Sequence, residues 1–280
     1  MVATPTRQES QRGKQKPSPT IAQLESSPDI VWEKLPEDFI LPDNPVDNIN
    51  QPALAAALTE SLSLAGYLSK TAITTTNYGI CVKYKGKTVV KAPDWCWVPA
   101  ISVPKAEVER SYTPVLEGDL PLVVMEFLFA TEGGEYSIKS SYPPGKLFFY
   151  EQILKVENYI IFSLETGAID YYRLSEDGRY ESQEPNDKGR YWLPGANLFL
   201  GVWEGDRQDR SGLWLRWWDE DEQMLLWGAE QIQQERERAD KAEQVQKSAI
   251  SKLKEMGLTA DQIADTLDLP VKIVSQQLEP

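Results

Sequence analysis

The sequence predicts an α+β domain built on a mixed central β-sheet flanked by helices, followed by a long C-terminal helical tail. Three features carry this. Residues 120–129 are apolar throughout except for Glu126, as in a strand buried on both faces. Lys85-Gly86-Lys87 and Glu165-Thr166-Gly167 each separate runs rich in β-branched and aromatic residues, and read as hairpin turns. Over residues 229–256 large apolar residues almost vanish and Glu, Gln, Arg, Lys and Ala take over, as in a solvent-facing helix.

Along the chain, residues 1–28 are rich in Ser, Pro, Gln, Lys and Arg with little to bury, and read as a disordered arm. The domain is expected over 30–227, entered through a Pro-, Asp- and Asn-rich extended segment over 35–50. Residues 51–68 read as a helix. Pro52 suits its first turn, Leu54, Leu58, Leu62 and Tyr67 recur near helical spacing, and Gly66 suits its end. Residues 71–98 read as a meander of strands, with Pro93 at a bulge or strand start because it lacks an N–H. A polar connection over 99–119 leads to the strand at 120–129, and a loop with paired glycines and prolines leads to a helix over 146–156. That helix carries Leu147, Tyr150, Ile153 and Leu154 on one face. Strands at 159–164 and 168–174 follow, then shorter strand-like pieces over 180–218 with turns at Asp177-Gly178 and Pro194-Gly195.

The tail is expected as a polar helix over 228–256, ended by Gly257, and a small helical cap over 257–280. Thr259 suits an N-cap for a helix over 260–267, and Pro270 opens a last one. Leu258, Ile263, Ala264, Leu267, Leu269 and Val274 are spaced as in a helix-turn-helix. Lys272 stands there against Asp261, Asp265 and Asp268, which suits a protein-contact module better than a DNA reader.

Composition narrows the chemistry. The 280 residues, 41% of them hydrophobic with 9 Trp and 12 Tyr, suffice for a substantial core. No run reaches the roughly 18 apolar residues of a membrane span, and residues 1–20 lack the apolar block of a secretory signal. Cys81 and Cys96 lie singly in strand-like runs and read as buried, reduced thiols, hence a cytoplasmic protein. The absence of histidine excludes Ser-His-Asp and Cys-His nucleophilic sites and His-ligated zinc. Carboxylate-held magnesium with a lysine remains. The net charge of −14 argues against broad electrostatic DNA binding, although local fields matter more than the sum.

Two carboxylates stand out. Asp94 follows Pro93 where a sheet would open, and Glu126 interrupts the strand at 120–129. A carboxylate in such a run is costly unless it is paired or bound to a metal, and burial alone would raise its pKa and neutralise it. The alternatives are a Pro-Asp turn residue for Asp94 and an edge-strand glutamate for Glu126. Trp95, Trp97 and Tyr150 read most simply as core aromatics, with Tyr150 one turn from Lys146 and able to line a cleft. Glu60 reads better as a surface glutamate than as a third acidic group.

Several segments, in order, resemble the Uma-two family, restriction-endonuclease-like proteins with the PD-(D/E)XK nuclease fold. Ala92-Pro93-Asp94-Trp95-Cys96-Trp97-Val98 resembles its Pro-Asp strand. Arg110-Ser111-Tyr112 and Glu117-Gly118 resemble the connecting segment, and residues 121–128 the strand bearing its glutamate. Lys146-Leu147-Phe148-Phe149-Tyr150 resembles its Lys-Tyr helix, residues 158–164 the next strand, and Tyr171-Tyr172-Arg173-Leu174 with Gly178-Arg179-Tyr180 the hairpin after it. The resemblance covers about residues 35–245. It implies that Asp94 and Glu126 hold Mg2+ (or Mn2+) and that Lys146 is the site lysine, with Lys139 as second choice. It departs from the family at Leu128, where many nucleases of this fold carry the lysine, and at Phe129, where a hydroxyl residue is usual; Glu132 or Glu135 stands in for an aspartate.

Two readings follow. The first is a metal-dependent DNA endonuclease with Asp94, Glu126 and Lys146 in the site, acting alone or as a homodimer. The second is a catalytically degenerate nuclease-fold protein that binds a protein partner through residues 228–280. The retained acidic pair and lysine favour the first; Phe129 and the charge favour the second.

Overall fold

The structure is a computed structural model that describes residues 29–34, 50–128 and 134–278. The predicted arm over 1–28, residues 35–49 of the segment after it, and Phe129 and Glu132 lie outside the described residues. The chain divides into two compact units, Met1–Leu225 and Leu226–Pro280.

In the first unit, β1 (Ile30–Val31) is followed by α1 (Gln51–Leu64), which buries Leu54, Leu58 and Leu62 along one stripe. The helix ends at Leu64 rather than at 68. The Tyr67 amide returns to the Leu62 carbonyl at 2.9 Å and Gly66 takes φ +79°, a left-handed close that leaves Tyr67 outside.

β2 (Ile73–Thr75), β3 (Gly79–Tyr84), β4 (Lys87–Lys91) and β5 (Trp95–Val98) do not form the expected meander. β2 pairs with β5, whereas β3 and β4 make a hairpin in a different sheet. The reason lies at Pro93. Without an N–H it cannot carry the β4 ladder into β5, and its carbonyl instead holds the Asn77 amide at 3.0 Å. β6 (Ser111–Tyr112) joins β3 in parallel, so the connection over 99–119 contains a strand that its polar composition hides.

β7 (Val123–Leu128), β8 (Asn158–Ser163), β9 (Ile169–Leu174) and β10 (Tyr180–Ser182) complete the main sheet, in the order β10-β9-β8-β7-β5-β2. β7 and β8 are parallel and the other neighbours antiparallel, so this sheet is mixed, as expected. The crossover between β7 and β8 carries α2 (Lys146–Phe148), which passes into a π-helical turn over Phe149–Ile153. β11 (Arg190–Leu193), β12 (Leu198–Arg207) and β13 (Arg210–Trp218) form a further antiparallel sheet. Its β12–β13 hairpin, with strands of 10 and 9 residues, replaces the short pieces expected over 180–218.

The main sheet packs on both faces. On one, Cys96, Val98, Val124, Tyr159 and Ile161 cluster with Ile80, Val82 and Val89 of the β3–β4 hairpin and with Phe149, Tyr150 and Ile153. On the other, Trp95 Nε1 donates to Thr59 Oγ1 at 3.0 Å, and its ring lies 6.0 Å from that of Trp217. Trp217 Nε1 donates in turn to the Leu58 carbonyl at 3.3 Å, which ties β13 to α1. Cys81 and Cys96 are free, buried and in different sheets.

The second unit consists of α3 (Gly228–Glu255), α4 (Ala260–Leu267) and α5 (Val271–Leu278). Thr259 caps α4 as expected: its Oγ1 accepts from the Gln262 amide at 3.3 Å, and Gln262 Oε1 accepts from the Thr259 amide at 3.0 Å. A small core of Ile250, Ile263, Ala264 and Val274 joins the three helices. No described helix is long and apolar enough to cross a membrane.

Candidate functional site

The site begins at the pairing of β5 with β7. Trp95 faces Met125 in this register, so one residue further Asp94 stands level with Glu126. Strand alternation places Val124, Glu126 and Leu128 on the face that packs against Phe149 and Tyr150. Asp94 is fixed there, because its Oδ2 accepts from the Phe127 amide at 2.5 Å. The Phe127 carbonyl accepts from Gln51 Nε2, at the start of α1, at 2.8 Å. The backbone just after Glu126 is thus tied to both the β5 approach and α1.

Glu126 is fully buried. Its Oε1 accepts from the Tyr150 hydroxyl and its Oε2 from Lys146 Nζ, both at 3.0 Å. Lys146 and Tyr150 lie four residues apart across the α-to-π junction, which turns both toward the sheet. Lys146 Nζ also lies 3.3 Å from Oε1 of Glu135, which sits on a single 3₁₀ turn, Gly134–Tyr136. This turn is clamped from two sides. The Glu135 carbonyl accepts from the Tyr159 hydroxyl at 3.0 Å, and the Ser137 carbonyl accepts from the Phe148 amide at 3.3 Å. The close approach requires Gly145, since a Cβ there would run into the Ser137 carbonyl.

Burial dominates the electrostatics of Glu126 and pushes its carboxyl up from 4.5 to about 8; the Asp94 charge adds to the rise, while Lys146 and the Tyr150 hydroxyl oppose it. For Lys146, burial works against the ammonium, but the contact with Glu126, backed by Glu135 and Asp94, outweighs it and holds the pKa above its usual value. Tyr150 and Tyr159 are both raised well above the usual phenol range, chiefly by burial and then by Glu126, so their hydroxyls stay protonated donors. Lys91 at the end of β4 is lowered by burial and then by Lys146, with Lys139 adding.

The structure therefore brings Asp94, Glu126 and Lys146 together. Lys139 stands exposed on the loop, where its carbonyl accepts from the Gly145 amide at 2.8 Å. Glu60 lies away from this group and pairs with Arg207 at 2.6 Å. Sequence reasoning weighed Glu135 only as a stand-in for an aspartate, and it missed Lys91. The one sequence signal for Lys91 was its place three residues before Asp94, at the end of a strand.

The donor set suits a hard divalent cation. Mg2+ commonly takes one or two carboxylates and completes its shell with water and phosphate oxygens, and Asp94 with Glu126 would supply that pair. A buried carboxyl at about 8 is one whose ionisation an adjacent cation would favour. Among the described residues, no group of three or more His, Cys, Asp or Glu side chains is placed to hold an ion unaided. In comparisons with known proteins, no family model and no curated sequence matches the chain.

Proposed function

We propose that the first unit is a metal-dependent endonuclease that hydrolyses phosphodiester bonds in DNA, with Mg2+ or Mn2+ held by Asp94 and Glu126. The observation that carries this is the convergence of Asp94, Glu126 and Lys146 where β5, β7 and α2 meet, with Lys146 Nζ 3.0 Å from Glu126. Under this reading the mixed sheet is a restriction-endonuclease-like core, as the resemblance to the Uma-two family implies. When bound, the ion supplies a Lewis acid for a phosphoryl oxygen and lowers the pKa of water. The remaining chemistry belongs to the chain. Asp94 is preset by the Phe127 amide, and Tyr150 orients Glu126 by donating to Oε1. The Lys146 ammonium orients the attacking water and offsets the charge that builds on the phosphoryl oxygens in the transition state. Glu126 is fully buried, with Tyr150 against its Oε1.

The test is calorimetric titration with Mg2+ and Mn2+ of the wild type and Asp94→Ala, with plasmid nicking read on the same samples. Binding and nicking that both disappear in the variant support the reading. No binding and no nicking by the wild type at millimolar metal overturn it.

A second reading, a nuclease-fold scaffold without turnover, draws on the tail. α3 buries only Ile250 and leaves Ile232 and Val245 exposed, as is Met256 just after it, apolar side chains available to a protein partner or a second copy. Metal binding without nicking, together with loss of a captured partner on Val245→Glu, would favour it.

A further inference from the structure

Glu135 is the least explained group in the site. Its side chain is 8% exposed, yet its Oε2 is buried with no hydrogen-bond partner among the described residues. Buried carboxylate oxygens are ordinarily satisfied, so an open one asks for a reason. The carboxylate is also rigidly placed. Its own carbonyl is held by Tyr159, the next residue, Tyr136, donates to Asp170 at 2.6 Å, and the turn is clamped to α2 through Ser137. Oε1 already faces Lys146 Nζ at 3.3 Å.

This matters because Lys146 and a divalent cation would compete for Glu126. The ammonium lies on Oε2 at 3.0 Å, and Oε1 takes the Tyr150 hydroxyl. An ion that draws on Glu126 weakens its hold on the amine. An ammonium left half-buried with no carboxylate would be costly. We infer that Glu135 is a positioning residue: it receives the Lys146 ammonium when Glu126 turns to a cation, and its open Oε2 is the acceptor kept for that shift. The amine then stays beside the site without occupying the cation's ligand. This inference rests on the metal reading proposed above.

The test is a double-mutant cycle on the full chain, read first as Mn2+ affinity in the wild type, Glu135→Gln, Lys146→Met and the double variant. With Glu135 gone, Lys146 stays wholly on Glu126, so Mn2+ affinity should fall at least about fivefold, the lower end of common coupling between sites. In the Lys146→Met background the same change should do nothing. An equal loss in both backgrounds makes Glu135 a direct ligand and overturns the inference, as does no loss in either. The second reading of the cycle is the urea midpoint of the metal-free protein at about pH 9.5, above the value of about 8 at Glu126, with and without Glu126→Gln. The Glu135–Lys146 coupling should grow when Glu126 loses its charge; coupling that does not grow overturns the inference even if Mn2+ binds. If the wild type takes up no Mn2+, the metal reading fails by itself and the urea cycle alone decides the role of Glu135.

Discussion

Glu126 is the residue whose protonation the fold changes most clearly in sign and cause. In the unfolded chain its carboxyl gives up its proton near the ordinary 4.5, whereas in the folded protein burial holds the proton up to about 8. Between those values the folded state binds the extra proton, so the stability that Glu126 contributes is full below about pH 4.5 and falls as pH rises through 8. At about 1.4 kcal/mol per unit, the loss across this window is on the order of a few kcal/mol. Glu126→Gln cannot titrate. The difference in urea stability between wild type and Glu126→Gln should therefore move against the wild type from pH 5 to pH 8, and a flat difference would show that Glu126 is ionised throughout. The direction is independent of catalysis, because it follows from the burial of a carboxyl with no exposure, which outweighs the ammonium and the phenol that it faces.

At the scale of elements, α2 and the 3₁₀ turn before it work as one piece. The Gly145 amide donates to the Lys139 carbonyl at 2.8 Å and the Phe148 amide to that of Ser137, so the turn bearing Glu135 and the helix bearing Lys146 move together. Gly145→Ala forces them apart. It should cost about 1–3 kcal/mol in chemical denaturation, the usual range for overpacking, and it should loosen Lys146 from both carboxylates; unchanged stability would mean that the loop yields freely. Little of this was legible in the sequence. Helical spacing placed Lys146 and Tyr150 on one face, but a π turn satisfies the same spacing and leaves no mark in composition. Asp94 was legible from its place after Pro93 at the head of an apolar run, and Glu126 because it breaks one. Glu135 was obscured because it lies in a Gly-rich loop, where an acid looks solvated; its burial comes from Tyr159 and α2, both distant in sequence. The β12–β13 hairpin was hidden by Gly201, Gly205 and Gly212, which weaken the strand signal although the two strands pair continuously from Phe199↔Trp218 to Arg207↔Arg210. The split of 71–98 between two sheets followed from Pro93, whose missing N–H was noted but whose effect on pairing needed the partners of β5 to be known.

At the scale of the molecule, the two units differ in how much they bury. The second rests on Ile250, Ile263, Ala264 and Val274, whereas the first packs its main sheet on both faces. A core that small supplies little stabilisation, so amides of α4 and α5 should exchange with solvent well before those of β7 and β8; equal protection would show that the units unfold as one. Charge acts at the same scale. At −14 the net charge of the chain has the same sign as nucleic acid, so the endonuclease reading needs attraction confined to the site. Among the described residues, Lys146 contacts Glu126 and Lys91 interacts with it, with Lys139 beside Lys91. Contact with two or three phosphates would give a slope of about −2 to −3 for log affinity against log salt, at roughly 0.9 per phosphate. Fluorescence anisotropy of a labelled duplex with Asp94→Ala, which should not cleave, would measure it over a range of salt at fixed Mg2+. The Lys91→Ala change on this background should lower the slope by about one. A slope steeper than about −6 would mean that phosphates are gripped at a basic surface elsewhere, and Asp94, Glu126 and Lys146 would then no longer mark where DNA binds.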